Sequence, residues 1–435
     1  MNEISRLGKL FDQRRRIAGS ALGKPRVSRQ ALTALSSGND PYRQEIKRVE
    51  GEWFARWFEE LCPQRRIHLR GFHYLLVTSS IVKPNGSPYR NVDDEWEWLS
   101  KASVAARWLG LLPFNRIVDQ RNDEPIWAPR NSGAPRGRVH GGTLFLPEAD
   151  DVGLTASLDN FYGRQPFTLC CFGEKGSLRP TLEPICRRFG VNLFLPTGEI
   201  SATQTSEMAW RAHDDGRKLI VFTVSDCDPS GYQMPVSIAR KLMALRDMDF
   251  PTLQYAVLPI ALSPTQADEL GLPTTPLKEA EKRGDRWREA HGREQTEIDA
   301  AIALQPQWLE RTIVDTMSRF YDDSLEHRVR EARDEWRENT EQLIEDYFGE
   351  ELDSMREVAE RIGQMNRYEA EGINQRLDEM ADSFELPDQP PLDGVAPDDD
   401  GAGVLIDSAM SWFEQTARLQ ARKAYVNDDL GEEQP

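Results

Sequence analysis

The chain has 435 residues, which at roughly 150 residues per domain implies two or three folded units. An evenly spread formal charge of −18 would exclude a nucleic-acid partner, because a polyanion needs a cationic surface. The charge is not evenly spread: residues 1–150 carry 24 basic and 17 acidic side chains (+7), residues 151–250 sum to −1, and residues 251–435 sum to −24.

In chain order, residues 1–40 are polar and basic (Lys9, Arg14, Arg15, Arg16, Lys24, Arg26, Arg29) and read as an arm. Ile46, Val49, Trp53, Phe54 and Trp57 recur at helical spacing and predict a helix over 44–61. A second helix is expected over 68–79 and a third over 92–109, with acids in its first turns and Lys101 and Arg107 later, the order the helix dipole prefers. Residues 113–127 alternate apolar and polar around Arg121-Asn122-Asp123-Glu124 and suggest a β-hairpin. Three helices and a hairpin outline an α+β winged-helix domain over 41–130.

A connector over 131–165 leads to a change of period. The apolar runs 166–172, 191–195, 218–224 and 253–258 alternate with helical segments at 175–189, 202–214 and 235–247, so an α/β fold with a parallel sheet is expected over 166–276. Residues 277–385 read as charged surface helices with apolar stripes such as Leu309, Ile313, Met317 and Phe320. Residues 386–403 have the composition of a disordered acidic linker, and 404–435 hold a last amphipathic helix and tail. No run approaches the roughly 18 apolar residues of a membrane helix, and no apolar segment follows the N-terminal charges, so a cytoplasmic setting without a leader is expected. Cys62, Cys170, Cys171, Cys186 and Cys227 form no CxxC pair and predict reduced thiols.

Acidic residues stand where two of the predicted strands stop. Glu174 follows 166–172, and Asp226 and Asp228 follow 218–224 in Asp226-Cys227-Asp228-Pro229-Ser230-Gly231. The carboxyl ends of parallel strands form the ligand crevice of such sheets. Hard carboxylate oxygens converging there suit Mg²⁺, with Mn²⁺ as the alternative ion. Read without that convergence, the same acids are turn residues and helix caps.

Glu174-Lys175, Gly198-Glu199-Ile200-Ser201 and Asp226-x-Asp228-Pro-Ser-Gly231 resemble the toprim domain of topoisomerases, primases and OLD-type nucleases. More narrowly, residues 45–275 are similar to the A subunit of topoisomerase VI and the meiotic double-strand-break transesterases. The resemblance implies a Rossmann-like toprim fold, a metal held by Glu174, Asp226 and Asp228, and Lys175, Ser201 and Gly231 in support. It further implies a catalytic tyrosine within Arg-Asp-aliphatic-aromatic-Tyr, here Arg70-Gly71-Phe72-His73-Tyr74, with Gly71 in place of the acid. The family's tyrosine meets the metal site of a second subunit, so a homodimer bound to double-stranded DNA in the nucleoid is expected.

Helical geometry bears on Tyr74 independently. Leu69, Phe72, Leu75 and Leu76 share one face, and Tyr74 falls on the other, one turn after Arg70. A nucleophilic phenol, a packing role and a phosphate contact all remain open; in the first, Arg70 and the metal would offset the charge developing on the phosphate. Arg65, Arg66, Arg107, Arg116 and Arg121 are the candidate phosphate contacts.

The sequence predicts a Mg²⁺-dependent DNA-cleaving transesterase. With no GxxxxGK[ST] loop present, an ATPase would be a separate subunit. Two alternatives stand beside it: a hydrolytic toprim nuclease subunit of a plasmid- or phage-defence system, and a non-catalytic DNA-binding scaffold.

Overall fold

Residues 6–21, expected as part of a solvated arm, form a helix, α1 (Arg6–Ala21), whose Leu7, Phe11 and Ala18 are buried. Counting charges misled here because two of the arginines are structural. Arg15 is buried and donates to Val27 O at 2.8 Å, and Arg14 pairs with Asp247 at 3.0 Å. The computed structural model describes residues 4–33, 35, 40–63, 66–119, 122–129, 135–143, 152–196, 198–277, 281, 283–363, 367–390, 392–397 and 401–422. They divide into two compact units, one drawn from 1–128, 167–320 and 398–435, the other from 129–166 and 321–397.

In the first unit α2 (Arg48–Leu61), α3 (Leu69–Thr78) and α4 (Asp93–Trp108) follow the predicted helical spacing, and a short strand not expected from the sequence, β1 (Ile67–His68), precedes α3. They enclose Phe54, Phe58, Phe72, Leu76 and Leu99. The predicted hairpin over 113–127 is not what the described residues form. β2 (Ile117–Val118) pairs in parallel with β1, while Ile126 bridges to Leu193. The two apolar arms serve different cores: Ile117 enters the helical cluster, and Trp127 packs edge-on against Phe194, with ring centroids 5.2 Å apart.

Next come β3 (Arg136–Gly141) and β4 (Leu154–Asp159), an antiparallel pair of the second unit in place of an irregular connector. On β4 Leu154, Ala156 and Leu158 are buried in alternation, as a strand with one covered face requires.

The chain then winds β5 (Phe167–Gly173), α5 (Arg179–Phe189), β6 (Asn192–Phe194), α6 (Ala202–Asp215), β7 (Lys218–Val224), α7 (Pro229–Met248) and β8 (Tyr255–Ala261). β5 to β8 are parallel in the order β6-β5-β7-β8. β5 and β7 are buried almost throughout, which is why their sequences read as unbroken apolar runs. This is the α/β core the sequence predicts.

The first unit does not stop at 276. Cys227 bridges to Thr296 and Thr275 to Gln295, and α8 (Pro264–Glu269), α9 (Gly284–His291), α10 (Ile298–Leu304) and α11 (Pro306–Ser318) belong to it, with Leu309, Ile313 and Met317 buried. The second unit continues with α12 (Leu325–Ile362), 38 residues long, and α13 (Arg367–Ser383). The described residues of the expected linker up to 397 are tied down within that unit: Gly394 N–H donates to Arg164 O at 2.6 Å, Val395 N–H donates to Asp322 at 2.8 Å, and Leu386 and Leu392 pack on its core. Its acidic composition concealed these contacts. β9 (Ile406–Asp407) then joins β8 antiparallel, and α14 (Trp412–Arg422) closes the first unit. Among the described residues no helix is long and apolar enough to cross a membrane.

Candidate functional site

The register of β5 against β7 sets Gly173 beside Val224, so the next residues on each strand emerge together. Glu174 Oε2 accepts the backbone N–H of Asp226 at 2.8 Å. Asp226 in turn accepts the Ile298 N–H at 2.8 Å with one oxygen and faces Lys175 Nζ at 2.9 Å with the other. Asp228 caps α7 by accepting the Gly231 N–H at 2.7 Å. Gly231 is required by space: a Cβ there would lie 2.2 Å from Asp226 O. The sequence pattern from Asp226 to Gly231 is therefore a tight strand-to-helix turn that holds both aspartates in place.

Electrostatics follow from this crowding. Burial, then the charges of Asp226 and Asp228, push the Glu174 carboxyl up to about 8. Burial also raises Asp226 and Asp228. Burial works against the Lys175 ammonium, but Glu297, Asp226 and Asp299 outweigh it and hold it protonated. Lys175 sits 3.1 Å from Asp299 and also pairs with Glu297. Cys227 between the aspartates is buried and its thiol is pushed up to about 12, so it is an inert side chain here. All five cysteines are buried and free.

Glu297 and Asp299 lie outside the range from which a site was expected. At the start of a helix they carry only the signal of ordinary dipole-complementing acids, and their partner Lys175 is more than 120 residues away. Arg283 was missed for the same reason; it donates to Pro229 O at 3.2 Å, Ser230 Oγ at 2.9 Å and Glu281 at 2.7 Å, bracing the same turn. Ser201 is a helix cap that accepts the Gln204 N–H at 3.1 Å, and its neighbour Glu199 is held by Lys241 at 2.9 Å.

Among the described residues no three His, Cys, Asp or Glu side chains stand as a ready-made cation cage. Glu174 and Asp226, which the structure brings together, and Asp228 at the start of α7 are donors of the hard oxygen type that divalent cations take. They crowd carboxylate charge into a partly buried volume, as the raised Glu174 reports, and the Lys175 ammonium now offsets it.

The predicted tyrosine and arginines are distributed differently. Tyr74 is 51 % exposed on α3, on the face opposite buried Phe72 and Leu76. Its neighbour His73 is buried between Tyr89 Oη at 2.7 Å and Asn91 Oδ1 at 2.9 Å. Arg70 stacks over Trp96 at 4.4 Å and lines a cleft of about 990 Å³ together with Glu199, Ser201 and Lys241; Tyr74 does not line it. Arg66 is exposed and donates to Asn115 O at 2.9 Å. Arg107 and Arg116 depart from the expected surface role. Arg107 is buried, and Arg116 is fixed by Glu59 at 2.9 Å, Cys62 O at 2.9 Å and the Phe58 ring. Arg65 and Arg121 lie outside the described residues.

No protein-family model matches the chain, and no curated protein matches it.

Proposed function

We propose that the chain is a DNA-binding phosphoryl-transfer enzyme that breaks a DNA strand at Glu174, Asp226 and Asp228 with Mg²⁺ or Mn²⁺. One observation carries the reading: Glu174 and Asp226 from adjacent parallel strands meet at the carboxyl edge of the sheet, the Glu174 carboxyl poised near neutral pH. A bound divalent cation would supply Lewis-acid stabilisation of the negative charge on the scissile phosphate. Glu174 would ligate it or hold a proton, Asp226 and Asp228 would complete the ligand set, and Lys175 would turn from Asp226 towards a phosphate oxygen.

In the transesterase form Tyr74 Oη bonds to phosphorus as the bond to the leaving deoxyribose oxygen breaks, with the phenolic proton passing to a base and the leaving oxygen taking one up. The number of phosphoester bonds is unchanged, so resealing is the same step reversed. A half-exposed phenol on the face of α3 opposite Phe72 and Leu76 suits that role, and in a homodimer it would act at the metal site of a second copy of the chain. In the hydrolytic form the Glu174 carboxylate, whose proton affinity is raised by burial and by Asp226 and Asp228, would take the proton of the attacking water in place of ligating the cation.

Incubation with supercoiled plasmid and Mg²⁺, with and without protease before electrophoresis, tests the reading. Cleavage abolished by Glu174→Gln is expected. A protein–DNA adduct absent in Tyr74→Phe selects the transesterase, and free 5′-phosphates in both selects the nuclease. DNA binding with no cleavage of any DNA form would overturn the enzyme and leave a scaffold.

A further inference from the structure

The cleft that Arg70 lines lies in the first unit between α4 and the first turn of α6, and its charged lining is Arg70, Arg107 and Lys241 against Asp119 and Glu199. Arg107, in the last turn of α4, is 7 % exposed; its Nε donates to Ser103 O at 3.1 Å and its Nη1 to Thr203 Oγ1 at 2.9 Å. Both acceptors are neutral, and no carboxylate of the described residues forms an ion pair with it. Burial pulls its pKa down to about 10, against the charge of Asp119. Asp119 lines the same cleft and its charge offsets part of the burial cost of the guanidinium, and a second anion delivered from solvent would offset more.

Two further features converge on the same space. Lys241 is consumed by Glu199 and Ile200 O, but Arg70, exposed on the facing wall, lies over the Trp96 ring and makes no ion pair among the described residues. Ser201 Oγ accepts the Gln204 N–H, which leaves the first-turn N–H groups of Ala202 and Thr203 without intrahelical carbonyls; both residues line the cleft at the positive end of a 14-residue helix.

We infer that this cleft binds a nucleoside phosphate, the phosphate held by Arg107 and the first turn of α6 and the base lying against the Arg70–Trp96 pair. Size and depth point to a mononucleotide. Small-ligand pockets run to about 1,000 Å³, and a guanidinium as buried as Arg107 is within reach of a terminal phosphate, not of a phosphate within a rigid duplex. Trp and Arg planes are the surfaces on which single bases stack. Glu174, Asp226 and Asp228 do not line the cleft, so the inference stands whether or not the chain cleaves DNA.

The test is calorimetric titration of the full chain with adenosine diphosphate in EDTA, without DNA. One-to-one binding is expected, with adenosine alone and inorganic phosphate alone each weaker by about tenfold or more. Arg107→Met is expected to weaken adenosine diphosphate by about tenfold, and Trp96→Ala and Thr203→Val by several-fold, the last two covering the case in which Arg107→Met fails to fold. No binding by the wild-type chain, or wild-type affinity in the folded variants, would overturn the site. So would a DNA oligonucleotide that binds with an affinity sensitive to Arg107→Met where the mononucleotide does not bind, since the groups would then read strand phosphates.

Discussion

The Glu174 carboxylate accepts the backbone N–H of Asp226 at 2.8 Å, which fastens the acid at the end of β5 to the turn that follows β7. Burial of the carboxyl, with the nearby charges of Asp226 and Asp228, outweighs this hydrogen bond and appears as proton affinity: the Glu174 carboxyl moves from an ordinary value of 4.5 to about 8. A carboxyl raised on folding contributes stability that is full below the lower value and is lost as pH rises through the higher one. Without divalent cations, the melting temperature should therefore carry a downward component between pH 4.5 and about 8. Glu174→Gln should remove that component and be more stable than wild type at pH 8 by on the order of 2 kcal/mol, since the amide oxygen can still accept the Asp226 N–H. Identical pH profiles for the two proteins would refute the coupling.

Gly231 is the second point on which the turn depends. With a Cβ only 2.2 Å from Asp226 O, Gly231→Ala must push the two segments apart. A loss of about 2–4 kcal/mol in urea unfolding is expected. A loss below about 0.5 kcal/mol would mean that the turn relaxes freely and does not fix the aspartates.

How much of this was legible in the sequence depended on the range of each interaction. The strands β5 to β8 were readable because burial on both faces leaves unbroken apolar runs such as Lys218–Val224, and Glu174, Asp226 and Asp228 because they sit next to those runs. Gly231 was readable as a turn residue, although only the approach of Asp226 O explains why nothing larger fits. Composition gave the wrong account of the N-terminus, since a buried Arg15 and a solvated one look alike in a charge count. The hairpin failed because alternation says that Ile117 and Trp127 face a core without saying that the cores differ. Glu297, Asp299 and Arg283 had no local mark, because their meaning lies in Lys175, Ser230 and Pro229 far along the chain.

Lys175 is the ammonium that now neutralises Asp226, Glu297 and Asp299. In Lys175→Met these acids lose their counter-charge, so the variant should be less stable than wild type at pH 7 and recover as falling pH protonates them. A divalent cation that replaces the ammonium should then raise the melting temperature of Lys175→Met more than that of wild type. A smaller cation-induced rise in the variant would show that Lys175 helps to organise the ligands and does not compete for them.

Tyr74→Phe separates chemistry from packing cleanly. The ring is half exposed and the core face of α3 belongs to Phe72 and Leu76, so removing the hydroxyl should change stability by no more than about 0.5 kcal/mol. Any covalent adduct with DNA should nevertheless disappear. A large stability loss, seen by thermal melting, would reassign the phenol to a structural role.

A buried ion pair is among the contacts that link the N-terminal segment to α7. Asp40 and Arg240 are 0 % and 1 % exposed, joined by contacts of 2.8–3.0 Å, and Asp40 also accepts the Tyr42 N–H at 3.0 Å. Arg240 lies on α7, the helix that Asp228 caps, so the pair links the segment after α1 to the helix that starts at the site. Removing one partner strands the other charge in the interior, and Asp40→Ala should cost about 3–5 kcal/mol and expose α1 to limited proteolysis. Replacing both partners, as in Asp40→Asn with Arg240→Met, should recover much of that loss, because the stranded charge and not the lost attraction is the larger penalty. A single Asp40→Ala that melts like wild type would show that α1 and the segment after it are held without this ion pair, by contacts such as Leu7, Phe11 and the Arg14–Asp247 pair.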